Sequence, residues 1–130
     1  ESTDRPEYHI DNATAETLIY ALHACPHGVI GMSHDIEGLV ETSTNLASIK
    51  MKEGNTILIG TSQRSSIESC KIAIANTVAS TFLLAGADVK HGDGYPGWAP
   101  NPDSKILKIA QETYKRLFNK DAKIMAIHAG

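Results

Sequence analysis

The chain has 130 residues, 42% hydrophobic and 21% charged, which is one domain's worth or a piece of a larger protein, with enough apolar matter to pack a core. Its 12 Lys+Arg against 15 Asp+Glu give a formal charge of −3, which leaves no broad basic surface for phosphate backbones and argues against a nucleic-acid binder. The longest apolar runs, such as Phe82-Leu83-Leu84-Ala85, are far too short to span a bilayer, no secretion signal opens the chain, and Cys25 and Cys70 make no disulfide framework, so reduced thiols and a cytoplasmic location are expected.

Residues 1–11 are polar apart from a short extended run at Tyr8-His9-Ile10. Ala15, Leu18, Ile19 and Leu22 fall at helical spacing and predict a helix over 13–24. Asp11 or Asn12 would cap it, with Glu16 in the first turn and Cys25-Pro26 ending it. Residues 28–40 read as a strand or irregular arm punctuated by glycine. Residues 41–51 alternate, with Asn45, Ala47, Ile49 and Met51 on one face and Thr44, Leu46, Ser48 and Lys50 on the other. Lys52-Glu53-Gly54-Asn55 is a turn signal, and 56–64 completes a hairpin.

Ser65-x-x-Glu68 matches a capping box for the next helix. Ile67, Cys70, Ile74, Val78, Thr81 and Ala85 keep to one side of it, with Phe82 beside them, and Gly86 stops it. A short extended run and a Gly- and Pro-rich loop over 91–100 follow. Asn101-Pro102 is expected to open a third helix with the stripe Leu107, Ala110, Tyr114, Leu117 and Phe118. Ile124 to Ile127 reads as a buried strand. The order predicts an α+β two-layer sandwich over residues 8–90, an antiparallel sheet with helices on one face. The helix and strand after residue 101 resemble half of a parallel α/β unit, which we read as a sign of truncation.

Several constellations carry possible chemistry. Gly92-x-Gly94-x-x-Gly97 matches the dinucleotide fingerprint in spelling, but Pro96, Pro100 and Pro102 keep the chain out of helix where that fingerprint needs one, and a domain-crossing loop is the plainer reading. His23, Cys25 and His27 are split by Pro26 and have no second ligand pair at zinc spacing. His34-Asp35-x-Glu37 reads as a solvated loop. His128 closes an apolar strand, either as a group presented to a cleft or as a hydrogen-bonded core histidine. Arg64 ends a strand directly before a capped helix, which suits a bidentate carboxylate contact near free N–H groups; a surface salt bridge to Glu68 is the alternative. Asn45 on the neighbouring strand would face the same cleft or serve as a sheet-edge amide.

Four stretches resemble one family: His27 through Ser43 (HGVIGMSHDIEGLVETS), Thr61-Ser62-Gln63-Arg64-Ser65-Ser66, Asp93-Gly94-Tyr95-Pro96-Gly97-Trp98, and Ile127-His128-Ala129-Gly130. Together they are similar to the aminoacyl-histidine (Xaa-His) dipeptidases, bacterial cytosolic metallopeptidases of broad dipeptide specificity. The resemblance implies a catalytic α/β domain with two zinc ions and an inserted α+β lid that contacts substrate and usually dimerises. Residues 1–90 would be the later part of the lid, and 91–130 an incomplete return into the catalytic domain. The zinc ligands and general-base Glu would precede this chain, with one further His after it, so no metal ligand and no catalytic residue is assigned here. Arg64 matches the lid arginine that binds the substrate's C-terminal carboxylate, and His128 a strand end lining the cleft. The expected partners are a dipeptide substrate, the rest of the catalytic domain and a second copy through the lid, with no membrane or nucleic acid. The rival reading is a non-catalytic α+β ligand-binding or dimerisation module.

Overall fold

In the computed structural model, described over residues 8–98 and 101–125, the chain runs α1 (Asn12–Ala24), β1 (Gly28–Met32), β2 (Val40–Lys52), β3 (Thr56–Ser65), α2 (Glu68–Leu84) and α3 (Lys105–Phe118). The strands form one antiparallel sheet in the order β1-β2-β3. α2 packs on β2 and β3 and α1 packs on α2, so the expected α+β arrangement, with helices on one side of an antiparallel sheet, is borne out.

α1 begins where Asp11 Oδ1 accepts the Thr14 N–H at 3.0 Å. Glu16 falls beyond the first turn and instead accepts the Tyr20 hydroxyl at 3.0 Å. The hairpin turns at Gly54 and Asn55, both at positive φ, where glycine and asparagine are best tolerated. α2 ends in a Schellman motif: the Gly86 N–H bonds the Leu83 carbonyl, the Ala87 N–H bonds that of Phe82, and Gly86 takes φ +77°.

The alternation expected along β2 is not continuous. Leu46 pairs with Thr61 and Ser48 with Gly60, so Ala47 is the extra residue of a β-bulge. Before the bulge, Thr42, Thr44 and Leu46 share the helix-covered face with Thr61, Gln63 and Ser65. After it, Ile49 and Met51 take that face, opposite Ile59 and Ile57. Asn45 and Ile49, expected together, therefore lie on opposite faces.

The core is small. Ala21 and Cys25 of α1 meet Val78 and Phe82 of α2, with Leu46 and Ile59 of the sheet against them. Burial pushes the Cys25 thiol up, which keeps it protonated as a small core residue. The buried polar groups are paired: Thr42 Oγ1 and Ser65 Oγ share a 2.8 Å bond, and Thr44 Oγ1 accepts from Gln63 Nε2 at 3.2 Å.

Two expectations about the C-terminal part fail. α3 starts at Lys105, not at Pro102, because Ser104 caps it by accepting the Leu107 N–H at 3.2 Å, while Asn101 and Pro102 form the preceding turn. Ile124 and Met125 adopt no strand, and the remainder of that expected element lies outside the described residues. Among the described residues, α3 contacts no other helix or strand and buries no side chain, so its stripe stands open at Leu117 and Phe118. Amide hydrogen exchange should accordingly be fast across α3 and slowed at Val78–Phe82. Equal protection of the two helices in a strictly monomeric sample would contradict this.

Candidate functional site

β3 alternates between the two sides of the sheet. Ser65 is 8% exposed and turned towards the helices, so its neighbour Arg64 lies on the open face. Ser43 of β2 pairs with Arg64, and Asn45 pairs with Ser62. Arg64 and Asn45, singled out from the sequence, therefore occupy one face as diagonal cross-strand neighbours, within reach of one small ligand. The residues beside them are small: Ser43, Ser62 and Gly60. A side chain at Gly60 would meet Ser48 Oγ at 2.8 Å. The result is a shallow polar tract with one fixed cation, suited to an extended ligand ending in a carboxylate.

The salt bridge between Arg64 and Glu68 does not form. Glu68 pairs with Lys71 at 2.9 Å, and Arg64 has no ion pair among the described residues. The capping box also fails. α2 opens at Glu68 with no side-chain cap, because Ser65 is committed elsewhere: it bonds Thr42 and accepts the Ile67 N–H at 3.0 Å. Arg64 thus stands on the face away from the helices and not over α2's first turn. Among the described residues its charge has no ion partner, in a different geometry from the one expected.

The loop over 91–98 folds back along the start of α2. Lys71 Nζ donates to the Tyr95 carbonyl at 2.6 Å, and the Gly97 N–H approaches Glu68 Oε2 at 3.5 Å. The Lys71 ammonium, followed by this N–H, holds the Glu68 carboxyl below its usual range. Gly97 is in contact with the backbone that follows Arg64: a methyl group there would collide with the Ser65 carbonyl oxygen and lie 3.2 Å from Ser66 Cα. That close approach, and not a phosphate, explains the third glycine of Gly92-x-Gly94-x-x-Gly97, since among the described residues no helix follows before Lys105. Sequence reading missed Lys71 and gave Glu68 other partners, Ser65 in a capping box or Arg64 in a salt bridge; the Pro96-Gly97-Trp98 motif was the available signal.

Among the described residues the histidines do not converge. Cys25 is buried and its thiol lies 3.6 Å from the Pro26 carbonyl, while His27 Nδ1 accepts the Leu46 N–H at 3.0 Å. His34, Asp35 and Glu37 sit exposed in a turn where Ser33 Oγ accepts the N–H groups of Asp35 and Ile36. Among the described residues no three His, Cys, Asp or Glu side chains approach one another as a metal would require. His128 lies outside the described residues.

No protein-family model matches the chain. The chain is 41% identical over 115 residues to the cytosol non-specific dipeptidase of Escherichia coli (strain K12), covering 88% of this chain and 24% of that protein. The crystal structure of aminoacylhistidine dipeptidase from Vibrio alginolyticus superposes with a TM-score of 0.83 at 38% identity, over 92% of this chain and 24% of that one. The resemblance read from the sequence is borne out, and this chain spans about a quarter of the length of either relative.

Proposed function

We propose that this chain is part of a dipeptidase that cleaves aminoacyl-histidine and other dipeptides, and that it supplies the lid and the contact to the substrate's C-terminal carboxylate. The observation that carries the reading is Arg64, exposed and without an ion partner among the described residues, beside Asn45 on an open face of small residues. The similarity to two dipeptidases supports it and favours it over a non-catalytic module. Residues 1–90 are assigned to the later part of the lid and 91–130 to the return into the catalytic domain. The loop at 91–98 and the unpartnered α3 fit that division.

The zinc ions expected of such an enzyme would polarise the peptide carbonyl and supply an activated water. Among the described residues no three His, Cys, Asp or Glu side chains come together to hold them, and the family resemblance is what places their ligands in other parts of the enzyme. What this chain's residues do is bind and orient. Arg64 fixes the free carboxylate by two parallel N–H···O contacts, and Asn45 offers an amide to the adjacent peptide group. His128 is assigned to the cleft wall. A homodimer through the lid is part of the reading; β3, the last strand of the sheet, presents an outer edge with no partner strand among the described residues. A cytoplasmic location is proposed with it, from the cytosolic relative; no described helix is long and apolar enough to cross a membrane.

The full-length protein should hydrolyse unblocked dipeptides, lose that activity to a chelator and regain it with zinc. The 130-residue chain should hydrolyse none. Chelator-sensitive turnover by this chain alone would overturn the division of roles, and a full-length protein inert towards dipeptides would overturn the function.

A further inference from the structure

The end of β3 is held to β2 by a ladder pairing and two hydrogen bonds. Arg64 pairs with Ser43 in the ladder, Ser65 Oγ meets Thr42 Oγ1 at 2.8 Å, and the Ser66 N–H bonds the Glu41 carbonyl at 3.2 Å. The loop at 95–97 also lies against it. Gly97 lies directly on the backbone of Ser65 and Ser66. The loop is fastened on each side of Pro96. Lys71, with its side chain 20% exposed, binds the Tyr95 carbonyl, and Glu68, bound to Lys71, faces the Gly97 N–H. One ion pair in the first turn of α2 thus grips an irregular segment at two residues, Tyr95 and Gly97. Arg64 is the residue immediately before the clamped corner.

We propose that Lys71, Glu68 and Gly97 form a latch that seats the 95–97 loop on the β3–α2 corner and so positions Arg64 for the substrate carboxylate; the three are positioning residues. This rests on the reading of Arg64 as the carboxylate contact. A wider side chain at Gly97 lifts the loop, and loss of the Lys71 ammonium frees it. Either lets the corner shift, and misplacement of a binding group by about 1 Å costs up to about a hundredfold in enzymes.

The test uses the full-length protein with Gly97→Ala, Lys71→Met and Lys71→Arg, a free dipeptide and the same dipeptide as its amide. Gly97→Ala and Lys71→Met should raise KM for the free dipeptide by about tenfold or more, leave kcat nearly unchanged, and alter the amide little. Lys71→Arg, which keeps the cation and its donors, should restore most of the loss. Amide exchange at Arg64 and Ser66 should quicken in the first two variants. Should Gly97→Ala fail to fold, Lys71→Met and its arginine rescue decide the matter. Equal losses for acid and amide, or a lowered melting temperature with unchanged preference, would overturn the positioning role. Arg64→Ala, run beside them, tests the carboxylate contact itself. If that substitution leaves the acid-over-amide preference intact, the contact is wrong, and the latch still stands or falls on the exchange at Arg64 and Ser66.

Discussion

Arg64→Ala in the full-length protein is expected to lower kcat/KM for free dipeptides by more than tenfold while leaving the melting temperature where it was. Removing one partner of a desolvated, hydrogen-bonded charge pair costs about 2–5 kcal/mol, and each 1.4 kcal/mol is a factor of ten. The unchanged stability follows from the structure. Arg64 is exposed, carries no ion pair among the described residues and faces away from the core, so its loss breaks no contact that folding depends on. A dipeptide amide, which lacks the carboxylate, should lose far less than the acid on the same substitution. Parallel losses for acid and amide, or a fall in melting temperature with intact kinetics, would each show that Arg64 does something other than read the carboxylate.

The largest effect on stability is expected at Phe82. It is 7% exposed and packs with Val78, Ala21 and Cys25, the point where both helices and the sheet meet. Truncating a buried phenylalanine to alanine costs about 3–5 kcal/mol, through lost transfer energy and the cavity left behind. No fully buried large side chain elsewhere among the described residues shares that role. Leu84→Ala, two residues on, is the control: Leu84 is 90% exposed and should move stability by about 0.5 kcal/mol at most. Equilibrium urea unfolding of both variants gives the answer, read as a shift in midpoint at constant slope. Comparable shifts at the two positions would mean that the core lies elsewhere.

How much of this was legible beforehand depends on how local each signal is. Asp11 as a cap, Gly54-Asn55 as a turn and Gly86 as a helix stop are decided within a few residues, and all three hold. Of the expected stripe Ile67, Cys70, Ile74, Val78, Thr81 and Ala85, Ile74 and Val78 are buried, together with Phe82 beside them, whereas Ile67 precedes the helix and is exposed. Ser65 misled because its hydroxyl was claimed by Thr42, 23 residues away, before it could cap α2. A strict period of two misled along β2 because nothing local marks Ala47 as the residue left unpaired. Arg64 and Asn45 were singled out from residue type and place in the strand. Their common face follows from register and lies ahead of the bulge, so parity held where it mattered. The grip of Lys71 on the 95–97 loop spans 24 residues and could not be read from spacing.

The Ala47 bulge also means that the hairpin has two sidednesses that are set separately. On the near side of it, even-numbered β2 residues face the helices and Asn45 is left with Arg64; on the far side, odd-numbered residues do. One residue therefore sets the phase of two stretches, Asn45 beside Arg64 at the base and Ile49 with Met51 at the tip. Pair Ala47 into the ladder instead of bulging it, and a single unbroken alternation must give up one of these two placements. Either Ile49 and Met51 turn outward while Asn45 keeps its place, or the tip keeps its face and Asn45 rotates behind the sheet, out of reach of anything Arg64 holds.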